Sequence, residues 1–131
     1  MQGIAITPIY AGVLALLYLF LAASVIRQRR RLGISVGDDG DATFLRTVRA
    51  HGNFAEYVPI ALILMALAEL QAIGAVALHV MGVMLLVGRL SHGWCFLFTA
   101  RNLKARVAGM VLTLTSIAIG ALACLWAGLI A

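Results

Sequence analysis

Four long apolar runs, at about residues 4–26, 42–72, 75–98 and 104–129, divide this chain into spans joined by short polar connections. Each is at least as long as the roughly 20 residues needed to cross a bilayer core as a helix. In lipid a segment must satisfy its own backbone hydrogen bonds, so such runs fold as helices. Joined by short turns, they predict an all-α fold: one integral membrane four-helix bundle over residues 1–131. A soluble reading fails on area. Of 131 residues 63% are hydrophobic and 11% charged, with a mean hydropathy of +1.05, and a domain this small has too little interior to hide that surface.

The connections set the expected topology. Residues 27–31 place Arg27, Arg29, Arg30 and Arg31 directly after the first run; the cluster is expected to end that span, with Arg29 at the end of the first helix. A polar loop follows over residues 33–43, centred on Gly37–Asp41. Arg101, Lys104 and Arg106 surround the third connection, whereas the second connection and both termini carry no Lys or Arg. Both basic loops are therefore expected in the cytoplasm and both termini on the opposite side. The net charge of +5 then reports topology and anionic headgroups, with no nucleic-acid partner. The first run has no basic residue before it and no cleavage site leading to a soluble domain, so it reads as a retained helix. Cys95 and Cys124 lack the paired spacing of a disulfide or metal site and read as packing residues. Pro59 is expected to kink the second helix, and Trp126 to anchor the fourth at an interface. Gly120, Cys124 and Gly128 form a small-residue ridge suited either to close helix contact or to plain exposure to lipid.

One stretch departs from this apolar plan. At about 100° per residue, Arg46, Arg49, Asn53, Glu56 and Tyr57 fall within an arc of about 100° on the second helix. Charged groups at membrane depth cost several kcal/mol unless paired or facing water, so this stripe predicts a polar cavity between helices. Arginine forks hold carboxylates bidentately, and Asn53 both donates and accepts, as a peptide-like ligand requires. Glu56 either takes a ligand ammonium or neutralises Arg46 or Arg49. On the third helix Arg89, His92 and Phe96 share a face by their i, i+3, i+7 spacing. Arg89 and His92 either complete the cavity or snorkel to the headgroups. His51 lies off the stripe and is a candidate to face a neighbouring subunit, while His79 reads as a satisfied or interfacial histidine on the far side.

The segment from Arg46 to Pro59, Arg-x-x-Arg-Ala-His-Gly-Asn-Phe-Ala-Glu-Tyr-Val-Pro, resembles the second-helix signature of the MAPEG family, the membrane-associated proteins in eicosanoid and glutathione metabolism. Gly88-Arg-Leu-Ser-His92 resembles that family's third-helix segment, and the match in length, spans and loop placement covers the whole chain. The small bacterial members are the most similar. The resemblance implies a bacterial inner-membrane homotrimer that binds glutathione as co-substrate between adjacent subunits, near the cytoplasmic side. It carries the glutathione-contacting positions onto Arg49, Asn53, Glu56 and Tyr57; Arg89 and His92 of the third helix are further binding candidates, His92 falling where members often have an aromatic residue or a histidine. His51 stands where some members have a glutamine that reaches the neighbour's glutathione, and Arg29 matches a further pocket arginine. Phe96 departs from the tyrosine often found at its position. An arginine early in the fourth helix is expected to hold the glutathione thiolate, with Arg106 as the choice and Lys104 as the alternative. A nearby cation lowers a thiol pKa from about 8.5 toward neutrality and so supplies a nucleophile, which meets a lipophilic substrate arriving from the bilayer.

Three other functions compete. A protein that binds glutathione or lipid without catalysis would keep most of the same residues. A four-span transporter would need a membrane carboxylate, usually in the first span; here Glu56 and Glu69, both on the second helix, are the available ones. A haem carrier would use His51, His79 and His92, of which His79 is expected at a different depth.

Overall fold

The computed structural model describes residues 3–99 and 102–130. Helix α1 spans Thr7–Leu32, α2 Ala42–Leu70, α3 Ala75–Phe98 and α4 Leu103–Ile130. All four are long and apolar enough to cross a membrane. Arg101, part of the basic third connection, lies outside the described residues.

The arginine cluster forms the last turns of the first helix. α1 continues through Arg27–Arg31 to Leu32, where Gly33 adopts a left-handed φ of 70° and donates its N–H to the Arg29 carbonyl. Arginine is a good helix former, and cations are favoured beside the partial negative charge of a helix C-terminus. The lipid-facing apolar run stops at Ile26, but the helix does not. At its other end α1 has no capping side chain of its own. Glu69, from the end of α2, supplies one: its carboxylate accepts from the N–H groups of Ala5 and Ile6, both at 2.6 Å, and of Thr7 at 2.8 Å.

Asp41 caps α2 by accepting from the N–H groups of Thr43 and Phe44. The helix then runs through Pro59 to Leu70 without a break. Residues 71–74 turn tightly into α3, with Ala72 at φ 60° and the Ile73 N–H donating to the Ala68 carbonyl.

The α2–α3 pair forms the middle of the bundle. Both α1 and α4 pack on it, and among the described residues no Cα of one lies within 8 Å of a Cα of the other. One core cluster joins Leu14 and Leu21 of α1 to Phe54, Val58 and Ala61 of α2 and Leu85 of α3. A second, nearer Glu69, joins Tyr10, Met65, Leu78 and Met81. α3 and α4 meet most closely, through glycine. A Cβ on Gly88 would stand 2.7 Å from the Gly109 carbonyl oxygen, and one on Gly109 would stand 2.7 Å from that of Gly88. Small residues at such crossings let backbones touch, which is how helices gain van der Waals contact in lipid. Farther along α4, Gly120 packs against Met81 and Leu64, and the Cys124 thiol donates to the Leu64 carbonyl at 3.4 Å. Gly128, the third residue of that ridge, meets nothing within 4 Å.

Candidate functional site

The start of α2, the end of α3 and the start of α4 converge at the basic end of the bundle, opposite Glu69. Between them lies a cleft of about 370 Å³ lined by Arg49, Asn53, His92, Phe96, Leu103, Arg106, Val107 and Met110. Three helices thus bring two arginines, an amide and an imidazole to one opening, and no carboxylate lines it.

Arg106 is the most exactingly placed of these groups. Its guanidinium carbon lies 4.1 Å from the centre of the Phe96 ring, within cation–π range. Phe96 is itself packed on His92, with ring centres 4.8 Å apart. The Arg106 Nε is buried and has no hydrogen-bond partner among the described residues, and a buried donor left in that state costs about 1–3 kcal/mol. Arg49, on the opposite wall, is exposed.

Arg89 is not a lining residue. It is 1% exposed, so it neither opens onto the cleft nor reaches a headgroup. Its Nη1 donates to Asn53 Oδ1 at 2.7 Å, its Nε to Thr113 Oγ1 at 2.9 Å, and its Nη2 to the Met110 sulfur at 3.6 Å. None of these partners is a carboxylate. The physical reason is the glycine contact between α3 and α4: it brings the helices so close that Arg89 is enclosed, and Thr113 supplies the polar partner. Thr113 also donates to the Gly109 carbonyl at 2.9 Å.

The remaining expected residues lie outside the cleft within one chain. Tyr57 is half-buried on α2, its ring centre 6.0 Å from the Arg89 guanidinium carbon. Glu56, on the same helix, is exposed. Arg46 donates to the Thr43 hydroxyl at 3.3 Å, and among the described residues its buried Nε has no partner. His51 packs on Tyr18 of α1 in its own chain, with ring centres 4.9 Å apart. Arg29 folds back onto its loop, donating to the carbonyls of Ser35 and Gly37 and lying 5.0 Å from the Phe44 ring centre. Lys104 is exposed and lines a larger apolar groove with Val111. That groove shares Leu103 and Val107 with the cleft, so the two adjoin.

Two expectations about other chemistry meet the geometry directly. Glu69, a carboxylate considered for transport, is engaged by three backbone N–H groups. His79 is held at the opposite end of the bundle, its Nδ1 2.9 Å from the Tyr10 hydroxyl. It therefore stands well apart from His92. Met110 and Thr113 were not singled out from the sequence. Arg106, Met110 and Thr113 follow an i, i+4, i+7 spacing, which puts them on one face of α4.

Comparison with known proteins agrees with this architecture. The chain is 34% identical over 121 residues to the inner membrane protein YecN of Escherichia coli strain K12, covering 92% of this chain and 91% of that protein. The YecN protein of Escherichia coli O6:H1 matches to the same extent. The MAPEG family matches residues 7–126. This integral membrane four-helix bundle, with its polar second helix and buried Arg89, belongs to the MAPEG family.

Proposed function

We propose that this chain is a glutathione-dependent membrane enzyme. The glutathione thiolate either conjugates lipophilic electrophiles or reduces lipid hydroperoxides. The observation that carries the reading is the Arg106 guanidinium, held over the Phe96 ring in a cleft whose charged groups, among the described residues, are cations. A tripeptide-like ligand brings the carboxylates that such a cleft lacks. Arg49 holds a carboxylate, the Asn53 NH₂ meets a peptide carbonyl, and Arg106 faces the sulfur. In conjugation the thiolate forms an S–C bond while the electrophile's leaving group departs or its strained ring opens. In peroxide reduction the thiolate takes the terminal oxygen and releases an alcohol; a second glutathione then gives the disulfide and water. The groove beyond Leu103 and Val107 admits the apolar substrate from the bilayer.

The reading extends to assembly. Exposed Glu56 and half-buried Tyr57 sit on a membrane helix, where a charge without a partner is costly. A homotrimer that packs this face against a neighbour would enclose both, along with the ligand. The site then lies in the bacterial inner membrane with the basic loops cytoplasmic, in keeping with the inner-membrane relatives.

Calorimetry of the detergent-purified protein with glutathione tests this directly. Wild type is expected to bind and Arg49→Ala to lose binding. Arg106→Ala is expected to bind yet fail to turn over model electrophiles and hydroperoxides. Absence of binding by a folded oligomer would overturn the assignment. Binding without turnover by wild type would leave a glutathione-binding protein in place of an enzyme.

A further inference from the structure

A second, separate convergence lies on the α1 side of the bundle. Between α1 and α3 is a small cavity of about 180 Å³, lined by Phe20, Ser24, Arg27 and Gln28 of α1 and by Leu97 and Phe98 of α3. The α1 wall carries Ser24, Arg27 and Gln28 beside Phe20, and the α3 wall is aliphatic and aromatic. We propose that this groove binds one anionic phospholipid per chain, with the phosphate on Arg27 and the start of the acyl region on Phe20, Leu97 and Phe98.

Depth supports the assignment. The apolar part of α1, Thr7 to Ile26, is about 20 residues, or about 30 Å at 1.5 Å per residue. That length fills the hydrocarbon core and puts Arg27 at the headgroup boundary. Because α1 stays helical to Leu32, Arg27 is held on a rigid element. Trp94 and Phe98, 62% and 60% exposed, stack at 4.5 Å on the adjoining turn of α3. Exposed aromatic pairs of this kind settle at the interface between lipid and water.

The donors also fit an acceptor-rich group. Arg29 is engaged by the carbonyls of Ser35 and Gly37, whereas Arg27 is exposed beside the cavity. Gln28 gives one amide hydrogen to Thr47 Oγ1 at 2.9 Å, which leaves the second for a phosphate oxygen. An arginine fork matches phosphate bidentately, and a basic pocket between membrane helices suits an anionic headgroup. A free inorganic anion would gain nothing from Phe20, Leu97 and Phe98; a diacyl lipid uses both walls.

The test is native mass spectrometry of the full-length protein released from nanodiscs of equimolar phosphatidylglycerol and phosphatidylcholine. Wild type is expected to retain one phosphatidylglycerol per chain in preference to phosphatidylcholine. Arg27→Gln should lower that retention about tenfold, the size of one charge-assisted contact. Arg30→Gln removes an exposed arginine that does not line the cavity and should leave retention unchanged. Both are exposed polar substitutions that preserve the fold, as circular dichroism of each variant checks. Equal retention of the two lipids would overturn the proposal. So would equal losses in the two variants, which signal diffuse attraction, or no loss in Arg27→Gln, which signals that protein covers the groove.

Discussion

Arg89 of α3 donates through Nη1 to Oδ1 of Asn53 on α2, at 2.7 Å. The bond fixes which end of the Asn53 amide remains available: the oxygen is taken, so the NH₂ is left to meet a ligand acceptor. Since Arg89 also holds Thr113 of α4, one buried cation ties together the three helices that form the cleft. Arg89→Met keeps the apolar stem and removes every donor. It should lower stability by about 1–3 kcal/mol, because Asn53 loses its buried partner. It should also weaken glutathione binding although Arg89 does not line the cleft. A double-mutant cycle with Asn53→Ala should show coupling above about 0.5 kcal/mol. Strict additivity would mean that the bond does not position the amide.

The α3–α4 crossing makes a steric prediction. A Cβ at position 109 would meet the Gly88 carbonyl at 2.7 Å and the His92 backbone nitrogen at 3.0 Å. Backbone cannot move aside as a side-chain end can, so Gly109→Ala must force the helices apart, at about 1–3 kcal/mol. Gly128→Ala, with nothing within 4 Å, should be silent. Thermal unfolding in one detergent ranks the two, and equal melting temperatures would refute the close crossing.

Glu69 predicts a different kind of loss. Its carboxylate accepts three backbone N–H groups at the start of α1, satisfying donors that every helix N-terminus leaves open. Glu69→Gln keeps the shape but turns one acceptor into a donor facing N–H groups. A cost of about 1–2 kcal/mol is expected, as for a lost N-cap, with faster hydrogen exchange confined to the amides of residues 5–7. Uniformly faster exchange along α2 would show that Glu69 instead supports its own helix.

The four spans were legible in the sequence because bilayer thickness leaves an apolar run of that length few other folds. The α2 stripe was legible because helical period alone puts Arg49 and Asn53 on one side. What lay beyond reach depended on helix-to-helix distance. Nothing in the sequence of α3 says that Gly88 and Gly109 touch, and that contact is what encloses Arg89 and recruits Thr113. Likewise Glu69 read as a membrane carboxylate, since its partners are main-chain groups of another helix and leave no mark in side-chain spacing. The exact last residue of α1 was out of reach of hydropathy, which marks where the lipid stops, while arginine and the Gly33 cap decide where the helix stops.

The two cations early in α4 separate by geometry. Arg106 lines the cleft and lies over Phe96; Lys104 is exposed on the adjoining groove. If Arg106 holds the sulfur, the ultraviolet absorbance of bound thiolate at neutral pH should be present in wild type and in Lys104→Ala. It should fall about tenfold in Arg106→Ala, as expected when a thiol returns toward its ordinary pKa of about 8.5. Affinity should change much less, because Arg49 and Asn53 still hold the peptide, so the loss appears in kcat more than in KM. Phe96→Leu tests the support beneath the cation: it removes the π face but keeps the volume roughly filled, and should give an intermediate thiolate signal. Loss of the signal in Lys104→Ala with retention in Arg106→Ala would transfer the role to the lysine and require α4 to turn when ligand binds.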